Sequence, residues 1–104
     1  MTKASNKFIV KSEIWLYPGM EGNWHFVSLS KKHSDDIKRR FGANSRGWGS
    51  LPVFVTLGKT CWKTSIFPHK QEGVYILPLK AMVRKKEGIY NNDKVNLILE
   101  IKTN

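Results

Sequence analysis

The chain has 104 residues, of which 18 are Lys or Arg and 8 are Asp or Glu, so its formal net charge at pH 7 is +10. This length predicts a single domain, residues 1–104, with one core, and the single Cys61 excludes an internal disulfide. No apolar run is long enough for a membrane-spanning helix, and the polar, basic N-terminus does not resemble an export signal, so we expect a cytoplasmic protein with no membrane partner.

The first predicted elements are two strands of a hairpin. Residues 8–17 alternate between apolar and other side chains, which is typical of a half-buried strand, and the turn residues 18–23 lead into a returning strand over 24–29. On the first strand Trp15 lies on the face opposite the apolar set, together with Lys11, so this pair is a candidate exposed aromatic next to a cation. Trp24 shares a face with Phe26, and we expect both in the core.

A short helix is predicted over residues 34–41. Ser34 is the expected N-cap, basic residues occupy the last turn, and Gly42 follows the end. A loop over residues 43–50 comes next, in which two glycines flank Trp48 and let the backbone bend where a bulky ring is presented or buried.

The second half of the chain predicts a further hairpin, a strand, a helix and a closing strand. Residues 53–57 and 60–67 are joined by Gly58-Lys59, and Cys61 is expected to be a small buried residue. After a strand over 74–77, Pro78 is expected at the first helical position and Gly88 at the end, with an inward stripe of Leu79, Met82 and Val83. Alternating apolar residues over 94–102 form the last strand.

These elements predict the fold class. Six strands, tight turns, no long parallel crossover and two short α-helices favour a mainly β protein, a six-stranded antiparallel β-barrel capped by the helices.

Several motifs carry a resemblance to a known family. The sequence resembles the bacterial family of domains of unknown function numbered DUF1905 over nearly the whole chain, from Phe8 to Ile101. The motifs are RGWG at 46–49, WKTSIFP at 62–68, GVYILPLK at 73–80, VRK at 83–85 and DKV at 93–95. The resemblance implies a double-split β-barrel capped by helices and brings no established activity. Members of that family often occur beside other domains, which suggests a role as a fold-support domain in addition to the two functions considered below.

Residues 77–95 are also similar to the swapped-hairpin transcription-factor barrels. The positions that match are Pro78, Lys80, Arg84, Gly88, Ile89, Asp93 and Val95, while Asn92 stands where that family prefers Gly. Those barrels are dimers of shorter chains that bind DNA. Because this chain is long enough to supply both halves of a barrel, we expect a monomer rather than an obligate dimer.

The candidate ligand-binding residues are Arg46, Trp48, Lys80 and Arg84, followed by Trp15 and Lys11. Guanidinium and ammonium groups bind phosphate or carboxylate, an indole offers a stacking surface, and Lys80 and Arg84 are four residues apart on a helix, facing away from its apolar stripe. Structural roles are open as well. Trp48 could plug the open end of the barrel with Arg46 stacked on it, and Lys80 and Arg84 could bond backbone carbonyls or pair with Glu87 or Asp93.

Catalysis has little support in the sequence. His25, His33 and His69 lie in three different elements, and no nucleophile elbow, phosphate-binding glycine loop or paired zinc ligands are present. The acidic residues beside His33 are explained by helix capping. We therefore expect neither an enzyme nor a bound metal or cofactor.

Two functions from different classes remain open. The first is a basic binding module for a phosphate-rich partner, with DNA or RNA as the first candidate, because the charge attracts polyanions. The alternative is an adaptor or small-ligand barrel, in which the Trp48 loop closes a pocket and the charge only maintains solubility.

Overall fold

The computed structural model describes residues 5–18 and 24–102, and in this part of the chain seven β-strands and two α-helices form the fold. The strands are β1 (Lys7–Glu13), β2 (Trp15–Leu16), β3 (His25–Ser28), β4 (Leu51–Leu57), β5 (Thr60–His69), β6 (Val74–Pro78) and β7 (Lys94–Ile101). The helices are α1 (Lys31–Phe41) and α2 (Ala81–Glu87), and two short 3-10 turns lie at Gly42–Asn44 and Gly47–Gly49. Of the predicted first turn, positions 19–23 lie outside the described residues.

All strand pairs are antiparallel, in the order β1-β7-β4-β5-β6-β3-β2. The long strand β5 pairs with β4 through residues 60–66 and with β6 through residues 67–69, so it belongs to two sheets. The β1–β2 segment likewise pairs with β7 and then with β3. The sheets therefore form a nearly closed barrel, and the predicted mainly β antiparallel barrel with two helices is confirmed.

The strand count is seven rather than six because the first predicted strand is broken at Ile14. The amide of Ile14 donates to the carbonyl of Asp93 at 2.8 Å, and the carbonyl of Ile14 accepts from the amide of Asn92 at 2.9 Å. These two bonds connect the chain to the turn before β7, and beyond them the chain leaves β7 and pairs with β3. The alternation of apolar residues continues across this bend and does not reveal it.

The core lies between the two sheets. Alternate residues of β4 and β7 face inward, among them Val55 and Leu99, both fully buried. Helix α1 contributes Ile37 and Phe41, and α2 contributes Val83. The inward positions of β7, α1 and Val83 of α2 correspond to the period-2 or helical stripes expected from the sequence, whereas β3 and β6 each bury three consecutive residues.

The N-cap of helix α1 lies four residues before its predicted position. Ser30 is the N-cap, with its side chain accepting from the amide of His33 at 3.0 Å. Ser34 is instead a buried residue of the first turn, and its hydroxyl accepts from the amide of Tyr75 in β6 at 3.0 Å. Ser34 was thus wrongly predicted as the cap, because both serines precede the apolar stripe and local pattern does not distinguish them.

Helix α2 begins later than predicted. Pro78 remains in β6, where it is paired with Phe26, and Lys80 is the N-cap. The helix ends at Gly88, with φ of 63°, as predicted. Met82 is 57% exposed and does not belong to the inward stripe, in which Val83 is the buried residue of α2. Neither α1 nor α2 has the length and apolar character needed to cross a membrane.

Candidate functional site

The candidate site is a groove of about 720 Å³ between the start of β3, the middle of β5 and the N-terminus of α2. We call it the aromatic groove. It is lined by Trp24, His25, Lys63, Thr64, Ser65, Phe67, Pro78, Leu79, Lys80, Ala81 and Arg84. Three of these side chains are cationic, two are large aromatics, and no carboxylate from the described residues lines the groove.

The aromatic side of the groove belongs to the outer face of the β2-β3-β6-β5 sheet. Trp24 is 51% exposed, although it follows an apolar pattern, and Phe67 is 37% exposed on the β5 face that also carries Lys63. Phe26, on the same face, is buried, and its ring centroid lies 6.3 Å from that of Trp24. The backbone at Trp24 is held by a 3.0 Å hydrogen bond from the amide of Tyr17 to its carbonyl. Trp24 is therefore a supported but half-exposed ring, and its predicted core position is wrong.

The cationic side of the groove comes from β5 and α2. Lys63 and Lys80 are exposed, whereas Arg84 is half-buried and its Nε donates to the carbonyl of Leu79 at 3.1 Å. The Nη1 of Arg84 lies 3.5 Å from the Nε2 of His25. These contacts hold the guanidinium against the wall of the groove, which lowers the entropy that an anion would have to remove on binding.

The acidic residues considered as partners for Lys80 and Arg84 have other contacts. Glu87 accepts from the hydroxyl of Thr60, and Asp93 accepts from the amide of Tyr90 at 2.8 Å. Among the described residues, no ion pair joins either carboxylate to Lys80 or Arg84. The two cations are thus brought together as predicted, although Arg84 lies along the groove wall rather than in open solvent.

Arg46 and Trp48 lie away from this groove. Trp48 is 94% exposed, so it does not plug the barrel, and its φ of 64° is a left-handed conformation that is rare for a bulky residue. Arg46 is exposed beside a separate depression of about 280 Å³ that also involves Phe41 and Lys102. The predicted grouping of these two residues with Lys80 and Arg84 in one site is therefore not seen in the described groove.

Trp15 and Lys11 are not neighbours in a shared site. The indole Nε1 of Trp15 donates to the hydroxyl of Ser28 at 2.9 Å, and its ring contacts Tyr17, Phe26 and His69. Trp15 is therefore half-buried in an aromatic cluster, because the break at Ile14 turns it out of the β1 face. Lys11 lines a different depression of about 350 Å³, beside Glu13 and Lys94.

Sequence reasoning missed Trp24, Lys63 and Phe67 as groove residues. The available signal was the period of β5, where Lys63, Ser65 and Phe67 alternate and must share one face. The alternation of side chains along β5 does not show that β6 pairs with this part of the strand or that α2 lies beside it. Cys61 lies on the same face and is exposed, which contradicts its predicted burial.

In the described ranges, no group of three His, Cys, Asp or Glu residues is placed to hold a metal ion. Glu72 Oε1 lies 3.3 Å from the hydroxyl of Ser28 and 3.4 Å from His69 Nδ1. Because the carboxylate rather than the imidazole contacts the hydroxyl, this arrangement does not have the order of a catalytic triad.

Among the residues that the structure describes, Asp36 and Tyr75 have clearly shifted pKa values. A hydrogen bond from Arg40, aided by the charges of Arg40 and Arg39, lowers the pKa of Asp36 below its usual value of 3.8. Burial raises the pKa of Tyr75 above 10.0. Both groups lie outside the aromatic groove, so these shifts bear on stability rather than on the site.

The fold and the groove together define a small, nearly closed antiparallel β-barrel with a cationic and aromatic groove beside its second helix. A family model described as a domain of unknown function, DUF1905, matches residues 11–99, and the chain belongs to this family. A comparison with curated protein sequences found no match.

Proposed function

We propose that this protein is a binding module for a phosphate-rich polyanion, with nucleic acid as the first candidate, and that the aromatic groove holds the partner. The observation that carries this proposal is the composition of the groove wall. Lys63, Lys80 and Arg84 line it with no carboxylate from the described residues to neutralise them. We assign no enzymatic step to the protein, and we expect it to act as a monomer.

The three cations have complementary roles in this proposal. Arg84 is held in place by Leu79 and His25, so it offers a fixed donor for a phosphate oxygen. Lys63 on β5 and Lys80 at the N-cap of α2 are exposed and act as adaptable point charges. The overall charge of +10 steers a polyanion toward the protein, with an attraction that weakens as salt increases.

The test compares two double variants that remove the same charge. Lys63→Ala with Lys80→Ala removes two groove cations, whereas Lys11→Ala with Lys94→Ala removes two cations beside a different depression. Affinity for labelled single-stranded and duplex DNA and RNA is measured by fluorescence anisotropy over a salt series.

We expect the groove variant to bind more weakly than the parent. The slope of log affinity against log salt should also become shallower, its magnitude falling by about 1 for each phosphate contact removed. The control variant keeps the slope of the parent. Equal losses in both variants would show that the charge acts without a site, and no binding at low salt to any of these nucleic acids would overturn the proposal.

A second candidate uses the same groove for a small anion with a flat apolar part. Its support is the size of the groove, since about 720 Å³ lies within the range of small-molecule sites, roughly 300–1,000 Å³. In this case a nucleoside monophosphate would bind as tightly as an oligonucleotide. A nucleic-acid module instead gains affinity with each added phosphate, so a length series separates the two functions.

A further inference from the structure

We infer that the partner in the aromatic groove is single-stranded nucleic acid and that one unpaired base stacks on Trp24. This inference rests on the proposed function, because it assumes that the groove binds a polyanion. It adds the chemical class of the partner and the side chain that recognises it.

The first argument is the cost of leaving Trp24 half exposed. An indole that is 51% exposed leaves a large apolar surface in water, while the neighbouring Phe26 on the same sheet face is only 6% exposed. The Phe26 ring and the Tyr17 hydrogen bond hold Trp24 in position without covering it. A rigid aromatic with a free surface is the usual platform for stacking an unpaired base.

The second argument is the shape of the site. A protein that reads duplex DNA inserts a helix or a two-stranded ribbon into a groove of the duplex, so the reading element is convex. Here the aromatic and cationic side chains line a concave groove, which can receive a base but cannot itself enter a duplex. In a duplex the bases are stacked on each other, whereas a single strand can expose a base face to Trp24.

The third argument is the arrangement of charge around the ring. Phe67 and Lys63 come from the same face of β5, while Lys80 is the N-cap of α2 and Arg84 lies in its last turn, and all four line the groove with Trp24. A base between the aromatics therefore has cations on both the strand side and the helix side for the phosphates that flank it. Aromatics combined with cations in one groove are typical of single-strand binding sites.

The experiment separates base recognition from phosphate recognition. An oligothymidylate of about 12 nucleotides is compared with an abasic strand of equal length, which carries the same phosphates without bases, and with the matching duplex. Affinities are measured by fluorescence anisotropy for the parent protein and for Trp24→Ala, Trp24→Phe and Trp48→Ala. Trp48 is the matched control because it is 94% exposed and lies outside the groove.

We expect the parent to bind the oligothymidylate between about 5-fold and about 100-fold more tightly than the abasic strand. Trp24→Ala should reduce this ratio to near 1, Trp24→Phe should restore most of it, and Trp48→Ala should leave it unchanged. Thermal unfolding of each variant shows that the fold is retained, and the abasic strand serves as an internal reference because its phosphate contacts do not depend on the indole.

Two results would overturn the inference, and they are distinct from failure of the proposed function. The parent protein could bind the oligothymidylate and the abasic strand equally, or bind the duplex more tightly than either. In that case the groove recognises phosphate without base stacking, so the inference is wrong while the proposed function is retained. If Trp48→Ala removes the preference and Trp24→Ala does not, stacking occurs at another site. If none of these nucleic acids binds at low salt, the proposed function itself is overturned.

Discussion

Arg84 and His25 are 59 residues apart in sequence, yet Nη1 of the guanidinium lies 3.5 Å from Nε2 of the imidazole at the wall of the aromatic groove. The guanidinium also donates from Nε to the carbonyl of Leu79 at 3.1 Å, so one hydrogen bond and the contact with the imidazole hold its orientation. A lysine at this position would carry the same charge without the planar fork that makes both contacts. The orientation of the side chain, and not only its charge, is therefore open to test.

The first prediction concerns Arg84. We expect Arg84→Ala to weaken polyanion binding roughly 10- to 150-fold, corresponding to about 1.5–3 kcal/mol for a hydrogen bond to a charged group. Arg84→Lys should recover only part of this loss, because it restores charge but not orientation. Anisotropy titrations at a fixed salt concentration measure both. Full recovery by Lys would show that orientation does not contribute.

The second prediction concerns the two serines of α1. Ser34→Ala should lower the free energy of unfolding by about 1–3 kcal/mol, because it leaves the buried amide of Tyr75 without its acceptor. Ser30→Ala should cost about 0.5–2 kcal/mol through loss of the N-cap. The exposed Ser45→Ala is the control, with an expected change near zero. Urea unfolding measures all three, and a negligible effect of Ser34→Ala would contradict the assignment.

The third prediction concerns pH. The pKa of Asp36 is lower in the folded protein than its ordinary value of 3.8, so this carboxylate stabilises the fold at pH values above 3.8. The contribution is lost as pH falls below 3.8 and through the folded-state pKa. We expect Asp36→Asn to be less stable than the parent at neutral pH and to approach it in acid.

Unfolding curves across this pH range test the prediction. Asp35→Asn is the control, because it makes the same charge change one residue away, where the carboxylate faces Lys31 across an exposed pair. Since the Asp36 site is partly exposed, the effect should also shrink with added salt. A stability difference that persists unchanged in acid would be evidence against the role of the Asp36 charge.

The fourth prediction concerns the backbone at Trp48. A left-handed conformation at φ of 64° costs a residue with a Cβ atom about 1–2 kcal/mol, while Gly adopts it without this cost. Because Trp48 is almost fully exposed, its removal sacrifices little packing. We therefore expect Trp48→Gly to be more stable than Trp48→Ala by about 1 kcal/mol. Thermal and urea unfolding check the order, and equal stabilities would contradict it.

The fold was largely predictable because its strands carry local patterns that agree with the tertiary structure. The Gly58-Lys59 turn joins β4 and β5, and the alternating residues of β7 are buried as expected. The break at Ile14 was not predictable, since it depends on backbone hydrogen bonds to Asn92 and Asp93, far along the chain. Local alternation carries no information about those bonds.

The candidate site was predicted only in part. Lys80 and Arg84 could be placed together because helical spacing determines their separation. The aromatic half could not, because Trp24 and Phe67 meet only through the pairing of β6 with both β3 and β5. Trp24 also follows the apolar pattern of a core residue. Its exposure depends on whether another element packs over that face of the strand, and the local sequence does not show this.

The position of Cys61 on β5 has a practical consequence. It is the only cysteine of the chain, it is exposed, and it precedes Lys63 by two positions on the same strand face, so their side chains lie roughly 7 Å apart. Cys61 lines a separate depression beside Lys86, and a thiol-reactive fluorophore attached there would lie next to the groove residue Lys63 without any engineered mutation. Its emission would report occupancy by an unlabelled ligand, so that candidate partners could be screened directly on the natural sequence.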